Sequence, residues 1–98
     1  MTWTALQRPT EAERRRIEEI IARHHDERPD GVRRVTVTLG EDQAGDPAAF
    51  LEMVVSAKLQ PTRGKIEELN DYIQIILNDI IGDYEIDYWP YARTVVEE

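Results

Sequence analysis

Residues 32–39 alternate between apolar and polar side chains, and a strand of this kind cannot stand alone. Val35, Val37 and Leu39 point one way while Arg34, Thr36 and Thr38 point the other, the period-two pattern of a strand with one buried face. Its backbone donors and acceptors need a partner strand. The next segment, residues 48–59, fits two structures. Phe50, Leu51, Val54, Val55 and Leu59 share one helical face, with Asp46 placed to cap and Pro47 at the first position. The same stretch also alternates, with Ala49, Leu51, Met53, Val55, Ala57 and Leu59 against Phe50, Glu52, Val54, Ser56 and Lys58. Pairing decides between them. The reading is a β-hairpin with a long polar loop from Gly40 to Pro47, rich in Gly and Asp.

Two helices flank this hairpin. Thr10 with Glu13 has capping-box spacing, and Ile17, Ile20, Ile21 and His24 follow at helical intervals. Pro29-Asp30-Gly31 is expected to end that helix. Pro61-Thr62 opens a second helix, with Ile66, Leu69, Ile73, Ile76, Leu77 and Ile80 on one face and Gly82 at a C-terminus expected to need positive φ. Asp83 to Trp89 alternates again until Pro90, and residues 93–96 add a short edge strand. The expected fold is a single α+β domain over residues 1–98. Its order is α-β-β-α with a short C-terminal strand, and two helices pack on one face of a small antiparallel sheet. A chain of 98 residues closes one core and leaves no room for a cleft between domains.

Charge is unevenly spread. The net charge is −8, and residues 66–98 hold nine acids against Arg93 alone, so the whole excess lies in the last third. Phosphate backbones and anionic membranes are repelled by such a surface, so no direct nucleic-acid or membrane partner is expected. A basic protein partner is attracted. There is no Cys, which removes disulfides and thiolate zinc sites and suits a reducing cytoplasm. No apolar run reaches the length of a bilayer, and the first residues lack the form of a signal peptide.

Little in the chain points to catalysis. His24 and His25 are adjacent on a helix and diverge by about 100°, a poor arrangement for sharing one metal. The loop acids Glu41, Asp42 and Asp46 do not follow a calcium-loop pattern. Ser56 is the only serine and has no triad context. No catalytic, metal or cofactor-binding residues are therefore assigned. The strongest anomaly is Tyr84-Glu85-Ile86-Asp87-Tyr88-Trp89-Pro90-Tyr91, which holds four of the seven aromatic residues interleaved with acids. Tyr and Trp concentrate binding energy at interfaces. Trp89 and Tyr91, beside the proline, are the better candidates for exposure. The expected partner-binding set is Asp83, Glu85, Asp87, Tyr88, Trp89, Tyr91 and Arg93.

The stretch VRRVTVTLGEDQAGDPAAFLEMVV and the later YWPYART resemble segments of small bacterial α+β proteins, some of them similar to antitoxin-like partners of HEPN-type ribonucleases. The resemblance covers roughly residues 32–96 and is carried by Gly45, Asp46, Pro47, Pro90, Tyr91 and Arg93. It implies neutralisation of a nuclease and supplies no catalytic residue. The acidic run from Asp83 to Asp87 departs from that pattern. The first expectation is thus a non-enzymatic, cytoplasmic, acidic module that occludes a basic partner. The second is a homodimeric structural protein joined through an edge strand. A small enzyme binding a divalent metal at Glu41–Asp46 ranks third.

Overall fold

The structure, a computed structural model, describes residues 9–98, with side chains from Glu11 onward. The elements are α1 (Pro9–Arg23), a 3-10 turn (His25–Glu27), β1 (Val32–Glu41), β2 (Pro47–Ser56), α2 (Arg63–Ile81) and β3 (Trp89–Glu97). They make an α+β unit of two helices and one three-stranded sheet in the order β1-β2-β3.

The hairpin forms as the pairing argument requires. β1 and β2 run antiparallel with Val37 opposite Leu51 and Leu39 opposite Ala49, and the register shifts between Val32 and Arg34. At the turn, the Asp42 N–H donates to the Asp46 carbonyl at 2.9 Å, and Gly45 adopts φ +84. β2 is the central strand, and Ala49, Leu51, Met53 and Val55 are buried on one side of it.

The antiparallel sheet expected from the sequence is corrected at β3, which pairs parallel to β2, so the sheet is mixed. The cause is the connection. A tight turn reverses the chain, whereas the stretch from Ala57 to Tyr88 carries α2 and returns the chain for a second strand in the same direction. The strand expected at 83–89 is also displaced. Residues 83–88 form no strand, with a turn at Tyr84-Glu85 and a bend at Tyr88, and the strand begins at Trp89 and runs through Pro90. Proline is compatible here because β3 is an edge strand, where a missing N–H need not break a ladder.

The first helix ends sooner than expected, at Arg23. The 3-10 turn follows, and Arg28 is already extended at ψ 123, as the residue before Pro29 must be. Gly31 then turns the chain at φ +96. The Thr10 half of the expected capping box lies outside the described side chains. Its other half, Glu13, is buried at 8% exposure, and that burial pushes its carboxyl up. α2 is capped by Thr62, whose Oγ1 accepts from the Lys65 N–H at 3.2 Å. Gly82 closes it at φ −78 without the left-handed conformation expected of it.

One buried cluster joins Ile17 and Ile20 of α1, Leu69, Tyr72, Ile76 and Ile80 of α2, and Val37, Leu51, Met53 and Val55 of the sheet. Tyr72 lies deeper than the sequence stripe implied, while Ile66 at the start of that stripe is 46% exposed. No helix among the described residues is long and apolar enough to cross a membrane.

Candidate interaction site

Strand geometry fixes which residues share the side of the sheet away from the buried cluster. Successive side chains alternate, so burial of Ala49, Leu51 and Met53 sends Phe50 and Glu52 the other way. Register then extends this face into rows. Thr38, Phe50 and Tyr91 form one row, and Thr36, Glu52 and Arg93 form the next. Gly40, Ala48 and Trp89 lie in a row toward the hairpin turn.

Aromatic rings dominate the turn end of this face. Phe50 and Tyr91 stack with centroids 5.8 Å apart and planes inclined by 20°. Both are exposed, as is Trp89, at 53%. A groove of about 420 Å³ runs along the face past Thr38, Phe50, Glu52, Tyr91 and Arg93. A second concavity beside it is lined by Glu41, Asp42, Gln43, Ala44, Phe50 and Tyr91. The two share the Phe50–Tyr91 pair.

Asp42 ties the aromatic floor to the loop. The Tyr91 hydroxyl donates to its Oδ2 at 3.1 Å, and its Oδ1 accepts from the Ala44 and Asp46 N–H groups at 2.9 and 3.0 Å. These hydrogen bonds, that from Asp46 foremost, hold the Asp42 carboxyl below its usual range. It therefore stays ionised at neutral pH, and the same contact pushes the Tyr91 phenol up. Among the described residues, neither Glu41 nor Asp46 has a cationic partner. The turn end of the face thus combines three rings with three carboxylates. The far end is compensated: Arg33 and Arg34 both pair with Glu97, and Arg93 donates to Glu52 through Nε at 2.9 Å and through Nη2. The two arginines, Arg34 first, lower the Glu97 pKa to about 2.

The expected binding residues separate into two places. Trp89, Tyr91 and Arg93 lie on the sheet face. Asp83 and Glu85 lie elsewhere, lining a concavity with Arg16, Arg23 and Asp79. Arg16 Nε donates to Asp83 Oδ2 at 2.6 Å, its Nη2 lies 3.2 Å from Glu85, and Asp83 is held below the usual carboxylate range by that guanidinium. Two of the nine acids of residues 66–98 are thereby paired with one arginine of the first helix. Tyr88 is half-buried and packs against the core, whereas Tyr84 is almost fully exposed and Asp87 is exposed. Phe50 and Glu52 were not in the expected set, and Asp42 was weighed only as a loop acid for a cation. Phe50 was legible, because once residues 48–59 are read as a strand it shares the parity of Glu52.

A second polar cluster joins the helices. His24, with 13% of its side chain exposed, places Nε2 2.6 Å from Asp79 Oδ2 and Nδ1 against Glu27 Oε1. These two carboxylates, Asp79 first, push the imidazole pKa up. Among the described residues no group of three or more His, Asp or Glu side chains is arranged to hold a metal ion. The chain matches no known family model, no curated protein and no solved structure.

Proposed function

We propose that this chain is a non-enzymatic protein-binding module that docks a basic segment of a partner protein on the uncovered face of its sheet. In this reading both helices cover the face bearing Leu51 and Met53, and the opposite face is left for the partner. The observation that carries it is the exposed Phe50–Tyr91 pair sharing one concavity with Glu41 and Asp42, with Asp46 close enough to act on the Tyr91 phenol and exposed Trp89 two residues before Tyr91 on the same face of β3. Aromatic faces attract guanidinium and ammonium groups, and nearby carboxylates complete their hydrogen bonding. Lysine and arginine side chains of the partner would lie over the rings with their charges at the turn. The net charge of −8 steers such a partner and disfavours nucleic acid.

The resemblance of the Gly45-Asp46-Pro47 and Pro90-Tyr91-Ala92-Arg93 segments to antitoxin-like proteins favours a cytoplasmic neutraliser that covers the basic surface of a nuclease. Both segments border this face, at its turn and on β3.

Fluorescence anisotropy of a labelled arginine-rich nonapeptide tests the reading. Trp89→Ala and Tyr91→Ala should each cost about 2 kcal/mol, close to thirtyfold in Kd, as interface anchors do. Tyr84→Ala, on the other acidic patch, should leave Kd unchanged. Equal effects of all three would mean general charge attraction and would refute the assignment of this face.

A further inference from the structure

We propose that the chain pairs with a second copy of itself along the free edge of β3, antiparallel, continuing the three-stranded sheet across a two-fold axis. This goes beyond the docking reading and leaves the aromatic face of each copy open.

The two edges of the sheet are guarded differently. On β1 the register shifts between Val32 and Arg34, and Arg33 and Arg34 sit at that irregularity. Bulges and charges are the usual protection of an edge. β3 runs nine residues in unbroken register with β2. The Ala57 N–H donates to the Glu97 carbonyl, so Glu97 turns its peptide groups toward β2. By alternation Val95, Arg93 and Tyr91 do the same, while Val96, Thr94 and Ala92 turn theirs outward. Pro90 falls in the outward set, where its missing N–H costs nothing. Beyond it the outward donors and acceptors form a template for another strand.

An apolar groove lies beneath the same edge. Val96 is 65% exposed and Ile66 46% exposed. With Leu59, Pro61, Leu69 and Thr94 they border a hollow of about 330 Å³ between β3 and the start of α2. Across a two-fold axis the grooves of two copies meet.

Charge selects the occupant and the register. With the axis at Val95, Arg93 stands opposite Glu97 of the second copy, Val95 meets its own mate, and Thr94 faces Val96 of the second copy. Arg93 keeps 73% of its side chain exposed after pairing with Glu52, and Glu97 keeps 38% exposed after pairing with Arg33 and Arg34, so each can take a further partner. Odd positions form the non-hydrogen-bonded pairs, in which cross-strand Cα atoms approach to about 4.5 Å. An antiparallel strand of the same sequence thus satisfies both the edge and its charges, which an arbitrary strand does not.

Sedimentation equilibrium over a range of concentrations tests the proposal, together with oxidative crosslinking in a chain that has no other Cys. Wild type should dimerise, and Val96→Lys should weaken dimerisation on the order of tenfold or more while its thermal melt stays that of a folded chain. Val95→Cys should form a disulfide-linked dimer readily, since the Cα spacing falls near the range of roughly 4.4–6.8 Å that disulfides require. Tyr84→Cys, although more exposed, should crosslink only at the slow rate of random collision. A wild type that stays monomeric, a Val96→Lys dimer of unchanged affinity, or equal crosslinking of the two Cys variants would each overturn the proposal. None of these outcomes bears on peptide binding to the aromatic face.

Discussion

Replacing Gly31 with Ala probes the junction between α1 and the sheet, because two separate costs meet at that position. Gly31 adopts φ +96, and a β-carbon there would lie 2.3 Å from Leu59 Cδ1. The conformation alone costs a side-chain-bearing residue roughly 1–2 kcal/mol. Displacing Leu59, which packs against the core, adds on the order of 1–3 kcal/mol as an overpacking cost. The lost freedom of the unfolded glycine returns about 0.4–1 kcal/mol. The net expectation is a loss of about 1–5 kcal/mol, with urea denaturation showing a lower midpoint and an unchanged slope. A chain of this size should lose about 4–8 °C in Tm per kcal/mol. Leu59→Ala separates the two terms. In that background the clash is absent, and Gly31→Ala should cost only about 1 kcal/mol, giving a coupling of about 1–3 kcal/mol in the double-mutant cycle. A Gly31→Ala protein within about 0.5 kcal/mol of wild type, or a cycle with no coupling, would refute the reasoning.

Other expectations follow from the core and the ion pairs. Ile76 is fully buried among both helices and the sheet, so Ile76→Ala should cost about 2–5 kcal/mol in urea denaturation; a loss below about 1 kcal/mol would contradict the described core. His24 has a raised pKa, so its contribution is complete below the unfolded value of 6.5 and is lost as pH rises through the folded value. Thermal melts should therefore show wild type losing its advantage over His24→Gln on going from pH 6 to pH 9. Glu97 has the opposite sign: its pKa is lowered from 4.5 to about 2, so its contribution is complete above 4.5 and fades as pH falls toward 2. Glu97→Gln should thus be less stable than wild type at pH 6 and converge with it at low pH, and a difference that persists there would exclude the pairing with Arg33 and Arg34.

The hairpin was legible because an unpaired strand at 32–39 admitted only one neighbour, and that argument overrode the helical spacing of Phe50, Leu51, Val54 and Val55. The direction of β3 was legible in principle. A helix between two strands is the spacing of a parallel crossover, but Pro90 read as a stop and drew attention to the wrong strand. Pro90 breaks a strand only where its N–H is needed, and position in the sheet is not written in local sequence. The acidic run changes character in the fold for a similar reason. Asp83 and Glu85 read as a free charged face, yet Arg16, distant in sequence, occupies both. Trp89 and Tyr91 stand out by composition, whereas the contact between Asp42 and Tyr91 exists only once β1, β2 and β3 bring the hairpin turn beside the ring.

Amide and side-chain NMR shifts, followed while an arginine-rich nonapeptide is titrated into the labelled chain, test the docking face most directly. Saturable shifts are expected at Thr38, Phe50, Trp89 and Tyr91 and in the Glu41–Asp46 loop, with Asp83 and Glu85 unmoved. Shifts centred on Asp83 to Glu85, or spread evenly over every exposed acid, would contradict the docking reading.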